Sequence, residues 1–292
     1  MNDSSLRDRL FVALQKWLPT RGLSVLMYRL TRIQWPALKN LHIRLFMRGF
    51  NISLEEAELT EPTDYPTFND FFTRALKPGV RPISSDAQAL ASPVDGTISQ
   101  LGLIQQGEIV QAKGHRYTVS QLLGGDPERA AMYDGGSFCT IYLAPYNYHR
   151  IHMPVDGLLR EWIHVPGRLF SVNPATVREL PGVFALNERV VSCFNHPRGP
   201  WALVMVGALF VGSMETVWAG QVTPPYRHGN TAEGYQSQQK IMLRRGDEMG
   251  RFNMGSTVIL LFPRGMASWD PGAQPQSMVR MGQTLGRVSA RP

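Results

Sequence analysis

RFNMGSTVILLF, residues 251–262, sets a Gly-Ser pair at the mouth of an unbroken apolar run. Val258, Ile259, Leu260, Leu261 and Phe262 are ended by Pro263 and Gly265, the pattern of a short strand buried on both faces. Gly255 then marks a bend, a bulge or a close backbone approach at the start of that strand. Taken alone, Gly255-Ser256 reads as a structural bulge whose hydroxyl bonds the backbone, and chemistry at Ser256 needs further residues to support it.

Outward from this strand, short apolar or alternating segments recur between Gly, Pro and Asp from Ala91 onward. Gly96 to Leu103, Glu108 to Ala112, Ser137 to Leu143, Gly157 to His164, Val190 to Phe194 and Ala202 to Phe210 join Thr257 to Phe262 as predicted strands. The spacing predicts an α+β protein that is mostly β, with an antiparallel barrel or sandwich-like core behind a helical N-terminal region. Pro93-Val94-Asp95-Gly96 is repeated as Pro154-Val155-Asp156-Gly157, each ahead of an apolar β segment, which points to a duplicated barrel-sandwich motif. Pro, Asp and Gly are also the commonest turn residues, so chance is the competing explanation. Nearer the start, Thr67 and Asp70 in TFNDFFTRALKPGVRP cap a predicted helix running through Leu76 to the Pro78-Gly79 break.

The 292 residues, with 43% hydrophobic and 10% aromatic content, suit a folded chain of one large domain or two. Cys139 and Cys193 are far apart and form no C-x-x-C pair, so neither a disulfide framework nor a cysteine zinc site is indicated, and a reducing compartment is expected. Residues 1–50 carry nine Lys/Arg against Asp3 and Asp8, a surplus of seven that equals the formal net charge of +7 for the whole chain. Leu6, Leu10, Leu14 and Trp17, then Leu23, Leu26, Leu30 and Ile33, recur at helical spacing on either side of a Pro19 to Gly22 break, and a last helix runs from Pro36 to Gly49.

Basic amphipathic helices of this kind suit the surface of an anionic bilayer. No nucleic-acid motif accompanies the patch and its apolar stripe is wide, so nucleic acid is not the expected partner. Packing of the stripes on the rest of the chain is the competing reading. No run approaches the roughly 20 apolar residues of a spanning helix, and the first residues lack the order of a secretory signal. The expected division is therefore a membrane-associating region over residues 1–65 and a β-rich catalytic domain over 66–292.

APYNYHRIHMPVDG, just ahead of the second P-V-D-G, spaces His149 and His152 three apart with Tyr146 and Tyr148 interleaved. With Asp95 or Asp156 these could ligate a metal, but there is no H-E-x-x-H and no third ligand at a diagnostic spacing, so no metal is expected and a His/Asp metal-dependent hydrolase is an outside alternative. The order VDG at Asp95, YHRIH at His149 and His152, FSVNP at 170–174, NERVV at 187–191 and MGST at 254–257 resembles the phosphatidylserine decarboxylases from about Phe68 onward. The family's cleavage tetrapeptide has Leu where this chain has Met254, an apolar change of similar volume.

The resemblance implies self-cleavage between Gly255 and Ser256 into chains 1–255 and 256–292, with Ser256 converted into a covalent pyruvoyl cofactor. It implies His152 as the base and Asp95 as its orienting carboxylate in a relay with Ser256, an arrangement that activates a serine hydroxyl. The pyruvoyl group would then hold phosphatidylserine as a Schiff base while CO2 leaves, giving phosphatidylethanolamine, with His149 as the proton donor. Phe170, Ser171 and Asn173 are expected at the headgroup or acyl entrance. A homodimer of processed units, peripheral to the cytoplasmic side of the inner membrane, completes the expectation. The alternative from another class is a non-catalytic membrane-bound β-barrel module.

Overall fold

The computed structural model describes residues 6–210, 213–224, 232–236 and 240–289. Thr257–Phe262 lies near the middle of an antiparallel sheet, between Gly199–Val206 and Ser137–Tyr142. Every residue of the strand is buried. Its alternation divides two cores: Ile259 and Leu261 pack on one face, and Val258, Leu260 and Phe262 on the other. Burial on both faces is what removes the usual polar alternation of an antiparallel strand. The first core is closed by short helices at Val119–Leu122, Pro174–Glu179 and Val183–Leu186 and by the hairpin Glu108–Val110/Arg116–Thr118. The second is closed by two smaller sheets. Among the described residues the large sheet does not close into a barrel, so the sandwich-like form of the expected α+β fold is the one adopted.

The P-V-D-G echo is the visible part of a larger repeat. The large sheet contains Gly157–Val165, Arg189–His196 and Gly199–Val206 on one side, then Thr257–Phe262, Ser137–Tyr142 and Gly96–Leu103 on the other, as two opposed triplets. Both strands that follow a P-V-D-G turn shift register soon after it, at Ile98/Gln100 and at Leu159/Glu161. Both take a short edge partner, Met278–Val279 on Gly96 and Thr97 and Met242–Leu243 on Gly157 and Leu158. The segments that follow, RMGQTLGRV (280–288) and RRGDEMGRF (244–252), match in pattern and each pairs with the strand preceding one turn, Ala89–Ala91 or Arg150–His152. Ala91 N–H donates to Pro154 O at 3.0 Å while His152 N–H donates to Pro93 O at 2.8 Å, so the two copies grip each other reciprocally.

Three helices precede this core: Leu6–Trp17, Thr20–Leu30 and Pro36–Phe50. Gly22 lies inside the second, because Pro19 opens that helix and the break falls at 18–19. Gln15, Thr20, Ser24 and Lys39 face inward and are buried, together with Val12 and Ile43. Leu6 (73% exposed), Leu10, Leu14 and Trp17 (89%) face outward, as do Leu26, Leu30, Leu41 and Leu45. Most of the apolar stripe read from the sequence is therefore turned away from the rest of the chain, with Leu23 and Ile33 half-buried. Among the described residues no helix is long and apolar enough to cross a membrane.

Thr67 caps the next helix by accepting from Asp70 N–H at 3.1 Å, but the helix covers only Phe68–Phe72 and stops short of the expected Leu76. Beyond it the backbone turns to another partner, with Glu58 N–H donating to Ala75 O and Lys77 N–H to Glu56 O. A third apolar cluster, from Ile43 through Leu54 and Tyr65 to Phe72, runs continuously across residue 65.

Candidate active site

Ser256 is buried at the head of its strand, where its backbone carbonyl accepts from Leu143 N–H at 2.7 Å and its Oγ donates to the Val206 carbonyl. Immediately before it, Met254 has φ +108°, a conformation costly for a side-chain-bearing residue. Gly255 is required by crowding: a Cβ there would lie 2.7 Å from His149 Cε1. The approach to this bend is tied down by Asn253, whose amide donates to Ser213 Oγ at 2.9 Å and Glu215 Oε1 at 2.6 Å and whose Oδ1 accepts from Asn69 at 3.1 Å. Asn69 comes from the Phe68–Phe72 helix, which thus braces the approach to the Gly-Ser bond at two points, since Phe72 stacks on the His149 ring at 4.1 Å and 17°.

His149 is fully buried, and burial together with the nearby Arg74 charge pushes its pKa down to about 3. Its Nε2 faces the Pro145 carbonyl at 3.4 Å, which only accepts, so Nε2 carries the proton. Nδ1 is then a lone acceptor with no partner among the described residues, on the edge of the ring nearest Gly255. His152 is tied differently. Nδ1 donates to Gly246 O at 2.8 Å and Nε2 accepts from Tyr148 OH at 2.9 Å, and burial holds its pKa below the ordinary histidine range. Tyr148, also buried, has its phenol pushed up to about 12, so it remains the donor.

Asp95 faces this pair from the first P-V-D-G turn without bonding either imidazole. Arg81 grips its carboxylate through Nε at 3.0 Å and Nη2 at 2.6 Å, and Met281 N–H adds a third bond at 2.8 Å. The negative charge of Asp95 nevertheless favours protonation of His152 and so lies within its electrostatic reach. The structure thus gathers His149, Gly255 and Ser256 into contact range, and holds His152, Tyr148 and Asp95 as a second group beside them.

FSVNP stands at the same end of the sheet as Ser256. Phe170 is in the core, its N–H and carbonyl both bonded to the Asn187 side chain, which also donates to Gly207 O. Ser171 N–H donates to Gln15 Oε1 of the first helix at 2.7 Å, and Asn173 caps Pro174–Glu179 by accepting from Thr176 N–H. The segment therefore joins the outermost helix to the strand end that carries Val206 and Ser256. A cleft of about 1010 Å³ lies between the Leu18–Gly22 corner and residues 165–168 and contains none of the site residues. A 480 Å³ cleft carries Asp95 and Tyr148 in its wall, while His149, His152, Gly255 and Ser256 do not line it.

Sequence reasoning missed Phe72, Arg74, Arg81 and Asn253. All but Asn253 lie in TFNDFFTRALKPGVRP, whose aromatic and arginine density is visible in the sequence but whose partners are far away in it.

A model of the phosphatidylserine decarboxylase family matches residues 68–287, and one described as PSD matches residues 10–51. The chain is 55% identical over 283 residues to the phosphatidylserine decarboxylase proenzyme of Nitrosococcus oceani, covering 97% of this chain and 92% of that one. It is 52% identical over 281 residues to the proenzyme of that name from Bordetella avium, covering 96% and 95%. The buried serine at a strained turn thus sits in a chain whose relatives are decarboxylases named as proenzymes. The chain belongs to the phosphatidylserine decarboxylase family.

Proposed function

We propose that this chain decarboxylates phosphatidylserine to phosphatidylethanolamine after cutting itself between Gly255 and Ser256. The observation that carries the reading is the turn itself: a positive-φ Met254, a Gly255 that no Cβ could replace without moving His149, and a serine hydroxyl buried at the start of a strand. Attack of Ser256 Oγ on the Gly255 carbonyl converts the peptide into an ester and frees the Ser256 amine. Loss of the Ser256 Cα proton expels Gly255 as a carboxylate and leaves a dehydroalanine, and water then releases ammonia and leaves a pyruvoyl group at position 256. When formed, that group supplies the electron sink that amino-acid side chains lack, holding the substrate amine as CO2 departs.

His152 and Asp95 serve the cleavage step, His152 receiving the serine proton and Asp95 favouring the charged imidazole that results. Tyr148 keeps His152 oriented by its hydrogen bond to Nε2, and must release it for proton transfer. His149, against Gly255, is assigned the return of a proton to the substrate carbon in decarboxylation, and because it rests neutral it must first take up that proton on Nδ1. A second reading exchanges the two roles, and it is favoured by the contact of His149 with Gly255 and by its unpartnered Nδ1. FSVNP is assigned to the headgroup or acyl entrance, a reading supported by its link to the first helix.

Residues 1–65 hold the enzyme peripherally on anionic lipid at the cytoplasmic face of the inner membrane, their Leu and Trp stripe inserted and their Arg side chains at phosphate level. The processed units pair as a homodimer. Ser256→Ala should remain uncut and release no CO2 from phosphatidylserine; turnover by that variant would end the cofactor reading. Replacing Arg29, Arg44 and Arg48 with Gln should weaken co-sedimentation with anionic vesicles on the order of a hundredfold at low salt, from about 1 kcal/mol per arginine lost. Unchanged sedimentation would move the attachment elsewhere.

A further inference from the structure

Arg74 is 7% exposed and sits in the wall of the 480 Å³ cleft with Asp95 and Tyr148. Its Nη1 has no hydrogen-bond partner among the described residues. Nη2 reaches only the Tyr146 carbonyl, at a long 3.4 Å, and the guanidinium lies 5.6 Å from the Phe71 ring centroid. The neighbouring carboxylates form their ion pairs with other arginines, Asp95 with Arg81 and Glu56 with Arg81 and Arg280, and neither bonds Arg74. Burial lowers the pKa of Arg74, but an arginine stays charged, and a buried guanidinium with an idle fork is arranged for an anion that arrives from outside.

We propose that Arg74 binds the phosphodiester of the lipid substrate. This rests on the reading of the chain as a phosphatidylserine decarboxylase. The substrate offers two anions, and the chemistry separates them. A guanidinium on the carboxylate would stabilise a charge that must drain away as CO2 forms, and so would favour the ground state over the transition state. The phosphodiester keeps its charge throughout, so holding it fixes the headgroup without opposing the reaction. A planar fork also matches two phosphate oxygens.

The placement agrees. One wall of the cleft, Phe50 to Ala57, runs directly out of the third helix, whose Leu41 and Leu45 are exposed, so a headgroup enters from beside the apolar helix face. Arg74 follows two residues after Phe72, whose ring stacks on His149 at 4.1 Å, and His149 lies against Gly255, so the anion site adjoins the Gly255-Ser256 bend.

The test measures inhibition of phosphatidylserine turnover by glycerophosphoethanolamine, which carries the diester, and by 2-butoxyethylamine, which keeps the amine and lacks it. Arg74→Gln should raise the inhibition constant of the first on the order of 10- to 100-fold, the range for a hydrogen bond to a charged group, and that of the second by less than about threefold. Relief of His149 acts on both alike and cancels in the comparison. Arg74→Lys, which keeps the charge and loses the fork, should fall between, and it carries the test if the Gln variant is not cut and so has no turnover to inhibit. Equal shifts for the two inhibitors, or no shift, would overturn the proposal. Inorganic phosphate should inhibit far less than glycerophosphoethanolamine, and equal potency would make this a free-phosphate site instead. A wild-type chain that turns over no phosphatidylserine would instead sink the underlying reading.

Discussion

The two copies of the P-V-D-G motif share a backbone and differ in chemistry. In each, the Asp accepts a backbone N–H from the matching segment opposite, Asp95 from Met281 and Asp156 from Arg245. In each, a glycine N–H of that segment bonds back to the residue before the turn, Gly282 to Ser92 O and Gly246 to Met153 O. The side chains then diverge. Where one copy has Ala91, the other has His152. Asp95 is buried and clasped by Arg81, whereas Asp156 is exposed. A repeated scaffold supplies the positions, and the residues by which the repeats differ, His152 and the buried Asp95, are the pair that interact electrostatically in the candidate site.

That contrast predicts a graded series. Asp95→Ala and His152→Ala should leave the chain uncut, a loss of at least about a thousandfold in cleavage rate by analogy with removal of a relay member. His149→Ala should still be cut but decarboxylate poorly. Asp156→Ala, the matched change in the other copy, should be cut normally and lose only about 1 kcal/mol of stability from one hydrogen bond. Gel analysis of the cut, CO2 release and thermal unfolding separate the four. If His149→Ala is the uncut variant and His152→Ala is not, the histidine roles exchange; if Asp156→Ala is also uncut, the copies are not functionally distinct.

Much of this was legible in the chain. Thr257–Phe262 reads as a doubly buried strand because no polar residue interrupts it, and the turn echo reads because four residues repeat unchanged. The other half of the repeat, RRGDEMGRF against RMGQTLGRV, is as clear once seen, but it recurs at an offset of 36 residues instead of 61, since the loops between the copies differ in length. Helical spacing gave the Leu and Trp stripe without its direction: the same periodicity serves a helix packed inward and one turned outward. The Phe72–His149 stack and the idle fork of Arg74 had no local signal, because both depend on contacts more than 70 residues away in the chain. The helix overshoot to Leu76 has the same cause, a long-range backbone partner that outcompeted a plausible local pattern.

The central claim is that Gly255-Ser256 is a bond made to be cut, and intact mass of the purified chain with and without phenylhydrazine tests it most directly. The account predicts two species, residues 1–255 and 256–292, with the smaller blocked at its N-terminus and alone gaining the mass of one hydrazone, in step with loss of activity. A single species at 32.7 kDa that decarboxylates phosphatidylserine, carries a free serine at position 256 and takes up no hydrazine would contradict it.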